Sequence, residues 1–299
     1  MRVISRALLA AGAVMAGSLT TQLAQAQVVF SDVGMNLEYE QTGPSTLTPY
    51  NGGTNAFFDA RNFYTNPSDF DGGVLTFPGP ASPQNFNVSG LLDCCGHFGM
   101  AYQTPFITPS DMATDFPIGI TYTLTSTNSV TSASQSVDIS FPTDIYAFSF
   151  PKLTPASFMA LQNINPAAGL TLSFNSFVPD PSADGGQGFF SIFDFTSNSS
   201  VFNDSGFAPT TTSVFVPGGT FTAGDQYVFE LIFDDFINGQ DANGVNITAR
   251  SDLRTRANFT VPTRTAVPEP ATWTMLLLGI GLAGASLRRR ARLARTVSA

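Results

Sequence analysis

The densest group of reactive side chains is "LLDCCGHFGM", where Asp93, Cys94, Cys95 and His97 fall within five residues. Thiolate, imidazole and carboxylate together ligate soft or borderline metals. No second Cys or His cluster completes a tetrahedral set, and adjacent cysteines rarely point at one ion. The competing reading is a Gly-containing turn in which Cys94 and Cys95 are bridged to each other or packed as small hydrophobes. A Cys–His nucleophile pair needs an approach that side chains this close in sequence seldom reach. Ser-His-Asp hydrolysis would have to use His97, the only histidine, and no G-x-S-x-G elbow accompanies it.

Carboxylates offer a second chemistry. "DDFINGQDANG" supplies Asp234, Asp235, Asn238, Asp241 and Asn243 as candidate calcium oxygens, "SDFDGG" supplies Asp69 and Asp71, and "PDPSADGG" supplies Asp180 and Asp184. Hard cations want several loop oxygens. None of these matches the twelve-residue calcium loop D-x-[DN]-x-[DN]-G-x5-E, so turn chemistry alone competes with calcium. Glu230 lies near Asp234 and Asp235, and paired acids could serve a glycosidase. Strand alternation, however, puts Glu230 opposite the apolar residues, on a solvated face. Sugar-stacking tryptophan is missing from the body of the chain, because Trp273 is the only one.

The elements that must position these groups are strands. "IGITYTLTS" puts Ile118, Ile120, Tyr122 and Leu124 on one face. "SVDISF", "YAFSF" (Tyr146 to Phe150), "GLTLSF" and "QYVFELIFDD" repeat the period of two. Between them lie "NPSDFDGG", "FPGPASP", "PDPSADGGQG", "VPGG" and "NGQDANG", rich in the residues that turns demand. Only "PASFMALQNI", Pro155 to Ile164, reads as a helix. The polar stretch Thr125 to Ser136 reads as a long exposed hairpin loop. From Asp252 the chain turns polar and Arg-bearing, a final strand and then a linker. The expected fold is all-β: an antiparallel β-sandwich, jelly-roll-like, over residues 27–262.

Between residues 27 and 266 six basic residues face 21 acids, a charge of −15. Nucleic acid is therefore excluded as a partner, since phosphate binding needs the opposite sign. The 28 phenylalanines supply the burial that two adjacent cysteines cannot replace.

Both ends carry addresses. Arg2 and Arg6 precede an uncharged run from Ala7 to Leu19, and Ala24-Gln25-Ala26 gives a signal peptidase its small-x-small pattern. Residues 1–26 are expected to be a signal peptide, with an uncleaved anchor as the alternative. At the other end, residues 263–270 form a linker containing Val267, Pro268, Glu269 and Pro270. An uncharged stretch follows over 271–287, about 26 Å as a helix and just long enough to span a bilayer. Arg288, Arg289, Arg290 and Arg292 then open a basic tail over 288–299 that would stay cytoplasmic.

Val267-Pro268-Glu269-Pro270, the apolar run and the Arg cluster closely resemble the PEP-CTERM sorting signal of Gram-negative bacteria. The resemblance covers about 30 of 299 residues. It implies recognition and cleavage by an exosortase near Pro268 to Pro270, passage through the inner membrane, and delivery to the cell surface or extracellular matrix. It implies nothing about residues 27–266. For these the expectation is a non-enzymatic structural or adhesive module without a cofactor, calcium apart. The alternative is a domain that binds or cleaves exopolysaccharide.

Overall fold

A period-two run of apolar side chains turns most of the chain into strands with one buried face. The computed structural model describes residues 26–50, 55–92, 96–143, 145–146, 149–263 and the isolated positions Met275, Leu277, Leu278 and Ile280. In chain order the first elements are β1 (Val28–Gln41), β2 (Leu47–Pro49), β3 (Ala56–Tyr64), β4 (Gly72–Thr76), β5 (Gln84–Asn85), β6 (Val88–Leu92) and β7 (Phe98–Phe106). Next come α1 (Pro109–Asp115), β8 (Ile120–Thr127), β9 (Ser134–Phe141), α2 (Pro155–Leu161) and β10 (Leu170–Ser173). The last are β11 (Gly185–Asp194), β12 (Ser199–Phe207), β13 (Ser213–Val216), β14 (Gln226–Gln240) and β15 (Asn246–Thr260).

One large sheet runs in the order β12-β11-β14-β15-β1-β3-β7-β6, with β2 also paired to β1. Its inner face is covered in two halves. The sheet β5-β4-β8-β9 packs over β1, β3 and β15, where the Phe58 ring stacks on Phe116 at 3.9 Å and meets Tyr122 at 5.5 Å. The pair β10-β13 and α2 lie over the other half, where Phe174 and Phe177 reach Phe233 of β14. Odd-numbered residues of β14 point into this core: Phe229, Leu231 and Phe233 have no exposed surface. Burial of that order is what holds a sandwich without cross-links.

Every strand pairing is antiparallel except the central one. β1 and β15 run parallel over eleven rungs, from Phe30 opposite Asn246 to Glu40 opposite Arg256. The start of β1 and the end of β15 therefore lie at opposite ends of the sheet.

Local chemistry moves some boundaries away from the sequence reading. Half of the polar stretch 125–136 is strand, because Thr125 and Ser136 hydroxyls bond across β8–β9 at 2.8 Å and Thr123 donates to Asp138 at 2.6 Å. Such cross-strand pairs replace apolar packing on an exposed face, and only residues 128–133 form the loop. Tyr146 and Phe150 belong to no strand. Pro142 and Pro151, which lack N–H donors, bracket that stretch, and Phe150 packs on Tyr39 at 4.5 Å instead. α1 was not expected; Thr108 caps it and Asp111 completes a capping box. α2 ends at Leu161, three residues before the expected Ile164.

Among the described residues no helix is long and apolar enough to cross a membrane. Of the expected span, only Met275, Leu277, Leu278 and Ile280 are described, as exposed helical residues. Residues 1–25 of the expected signal peptide, the Val267–Pro270 motif and the Arg cluster lie outside the described residues.

Candidate functional site

The outer face of the large sheet carries the chemistry. Even-numbered residues of β14, of β15 and of β1 from Phe30 on, and odd-numbered residues of β3 and β11, point away from the core. The register then places side chains from five strands in rows. One row is Asp32 of β1 beside Arg61 of β3. The next holds Phe236, Arg250, Gly34 and Asp59. The row after that holds Gln187, Asp234, Asp252 and Asn36.

Arg250 ties these rows together. Its Nη2 donates to Asp59 Oδ2 at 2.5 Å and its Nη1 to Asp252 Oδ2, while Nε lies 3.7 Å from Asp32. To reach Asp59 the guanidinium must cross β1, and it crosses over Gly34. A methyl group there would overlap Asp59 Oδ1 and come within 2.9 Å of Arg250 Cζ. Arg61 holds Asp32 in a fork, with Nε to Oδ1 at 2.7 Å and Nη2 to Oδ2 at 2.5 Å. Farther along, Arg256 Nε donates to Glu230 at 2.8 Å, and Arg254 lies 3.3 Å from Glu38 and 3.4 Å from Glu230. The Arg256 guanidinium also stacks over Tyr50, 4.7 Å from its ring centre.

Asp32, Asp59, Asp234 and Asp252 are all at least nine-tenths buried. Burial pushes Asp59 up against the pull of Arg250 and Arg61. Asp234 and Asp252 face each other across β14–β15. Burial and then Asp252 raise Asp234 well above the usual carboxylate range. Burial also pushes Asp252 up, but Arg250, the Asp234 hydrogen bond and Arg254 together bring it below that range. The two facing carboxylates are thus driven apart, Asp234 upward and Asp252 downward. The same carboxylates outweigh desolvation at Arg250 and hold its proton more tightly.

The structure disperses the other candidates. Asp234 joins this network, but Asp235 points inward, where its Oδ2 accepts the Asp180 N–H at 2.9 Å. Burial raises Asp235 to about 6. Asn238 is exposed and accepts from the Thr248 hydroxyl at 2.8 Å. Asp241 caps its own turn, accepting the Asn243 and Val245 N–H groups. Asp69, Asp71 and Asp180 likewise each accept N–H groups from their own or a neighbouring turn, and Asp184 accepts the Asn238 N–H of β14. Among the described residues no group of three or more His, Cys, Asp or Glu could hold a metal. Asp93, Cys94 and Cys95 lie outside the described residues, and His97 sits between β6 and β7 at the sheet edge. Sequence reading placed Glu230 correctly on the outer face but missed Asp32, Asp59, Arg61, Arg250 and Asp252. Their signal was charge at period two in "FSDVGMNLEYE", "FFDARNFY" and "ARSDLRTRAN".

Along β11, β14 and β15 this face is hollowed. One hollow of about 480 Å³ lies over Gln187, Ile232, Asp234 and Arg250, with Phe30, Phe189 and Phe236 around it. A second, of about 340 Å³, lies over Ser191, Val228, Glu230 and Arg256, with Tyr50, Phe193 and Phe195 around it.

Residues 266–290 match the model of the PEP-CTERM protein-sorting motif. No curated protein matches the chain. Among solved structures, the chain aligns with one from work on host cell surface retention of a 1.5-MDa bacterial ice-binding adhesin. The identity is 17% over 79% of this chain and 66% of that one, with a TM-score of 0.21. It aligns with the FN1–FN3 domains of chicken CNTN1 at 8% identity, covering 71% of this chain and 65% of that one, TM-score 0.24. It aligns with the BSP domain of a biofilm-associated protein at 11% identity, covering 69% and 28%, TM-score 0.20. The chain thus spans about two thirds or less of each neighbour, and scores this low assign no function.

Proposed function

We propose that this chain is a non-enzymatic surface component: a structural or adhesive β-sandwich that its own tail delivers to the cell surface or matrix of a Gram-negative bacterium. The PEP-CTERM motif at residues 266–290 carries this reading; it marks the protein as exported and as processed by an exosortase on the way. A signal peptidase would free Gln27, the apolar stretch 271–287 would hold the chain in the inner membrane in transit, and Arg288, Arg289, Arg290 and Arg292 would stop it there until cleavage near Pro268–Pro270. The passive role is supported by the outer-face carboxylates. Asp32 and Asp59 are held by guanidinium groups and Asp234 accepts from the Gln187 amide, so each already has a partner. The low content of charged residues (12%) fits a durable module.

Mass spectrometry of both ends of the native protein, after separating membrane, surface and medium fractions, tests the delivery. A chain from Gln27 to near Pro268–Pro270 outside the inner membrane is the expected result, and an intact tail in the inner membrane would overturn it. Release of reducing ends from polysaccharide by the purified protein would sink the non-enzymatic part.

A further inference from the structure

The two hollows on the outer face lie end to end along the same strands. They share the same three strands, and Glu230 at the end of one is followed on β14 by Ile232 at the start of the other. From Val228 to Asn238 the pair, taken together as a trough, reaches roughly 33 Å at about 3.3 Å per residue. Its length suits an extended polymer better than a compact molecule.

Charge narrows the occupant. Asp32, Asp234, Asp252 and Glu230 line the two hollows, and so do four guanidinium groups, Arg61, Arg250, Arg254 and Arg256. Each guanidinium of the lining is already spent on a carboxylate: Arg61 on Asp32, Arg250 on Asp252, Arg256 on Glu230 and Arg254 on Glu38. An anionic chain would meet Glu230 and Asp252, and a polycation would meet the arginines; neither gains without breaking existing pairs. A metal fares no better, because the facing Oδ1 atoms of Asp234 and Asp252 are closed to solvent and Arg250 already sits on Asp252. What remains open is neutral polar chemistry beside aromatic surface. Gln187, Asn238, Thr248, Ser191 and Asn258 offer donors and acceptors together. Phe189, Phe193 and Phe236 are half-buried, and Phe195 is 55% exposed. Hydroxyl groups on an otherwise apolar ring match both parts at once. The ion pairs beneath hold the floor rigid, so little order has to be imposed on binding.

From this geometry we propose that the outer-face trough binds a neutral, linear polysaccharide lengthwise along β14. The inference deepens the adhesive reading above by naming what the sandwich adheres to. A panel of neutral linear hexasaccharides of glucose, mannose, galactose and N-acetylglucosamine, with an alginate hexamer and poly-lysine as charged controls, is titrated against the full chain in detergent. At least one neutral hexasaccharide binds saturably, and its disaccharide binds roughly tenfold more weakly or less, because it fills only part of the trough. Phe195→Ala at one end and Asn238→Ala at the other replace exposed side chains. Each weakens the hexasaccharide several-fold without moving Tm.

Binding of none of the neutral panel, binding of alginate or poly-lysine instead, or neutral binding untouched by both substitutions overturns the proposal. Surface delivery is scored separately by fractionation. A correctly delivered chain that binds no neutral glycan sinks this inference alone, whereas a glycan-binding chain left in the inner membrane sinks the delivery reading alone.

Discussion

Gly34 decides whether Arg250 can reach across β1, and Arg250 decides whether three carboxylates can be buried beside it. Arg250→Met leaves Asp32, Asp59 and Asp252 without their shared cation. The expected cost is roughly 3–5 kcal/mol, the usual loss when one partner of a buried pair is removed. Gly34→Ala acts in the same direction by pushing the guanidinium off Asp59, although it deletes no charge. Urea denaturation of both variants checks this; a wild-type midpoint for Gly34→Ala would mean that the bridge does not need the gap. Asp235 makes a separate prediction about pH. Its folded-state value is raised to about 6 by burial, so its contribution to stability is fully present below about pH 4 and is lost as pH rises through 6. Asp234, also raised, acts with the same sign. Asp252, held low, acts with the opposite sign and loses its contribution on acidification. Between pH 5 and pH 7 Asp235 alone should remove about 1 kcal/mol. Asp235→Asn, which keeps the acceptor for the Asp180 N–H, should flatten that interval by the same amount in melting curves. An unchanged slope would show that Asp235 is not the titrating group.

At the scale of elements, the short helix α1 acts as a plug between the two sheets. Thr108 caps its first turn, and Phe116, at its C-terminal cap, stacks on Phe58 of β3 and contacts Phe77 at 5.0 Å. Thr108→Ala should cost about 1 kcal/mol, a cap's worth, and Phe116→Ala roughly 3–5 kcal/mol, a buried ring's worth. If the two losses were equal in chemical denaturation, the helix and not the ring would be closing the seam. These cases also show what a sequence displays. β14 was legible because Tyr227, Phe229, Leu231 and Phe233 alternate without interruption against a single covering layer. β1 and the start of β15 were not, because their outer positions hold Asp32, Asn36 and Arg250, which read as loop until the partner strand supplies the opposite charge. The candidate site was hidden for the same reason. Asp59 and Arg250 are 191 residues apart and meet only through a pairing order that no local pattern specifies. α1 escaped notice because seven residues give no helical period to detect.

For the whole molecule, the parallel pairing of β1 with β15 makes the first and last strands of the domain the centre of the large sheet. Val28 opens β1 one residue after the expected Gln27 terminus, and β15 ends at Thr260, ahead of the sorting motif at 266–290. Removal of either address therefore touches no buried strand. Leu253, Ala257 and Phe259 of β15, by contrast, are buried between β14 and β1, so the sheet cannot close until β15 is in place. A chain ending at Thr263 should then keep a cooperative transition with Tm within about 2 °C of the full chain. A chain ending at Val245 should show none, since it leaves β14 and β1 with unpaired edges and open core. Calorimetry of the two truncations, beside full-length protein in detergent, reads both. Melting of the Thr263 chain far below the full chain would mean that the tail contributes to the fold, and that trimming and survival outside the cell could not go together. A folded Val245 chain would mean that the central strand is dispensable and that the parallel pairing does not hold the sheet. With the first result and not the second, the sandwich is finished before its tail is cut, as a surface module released by proteolysis has to be.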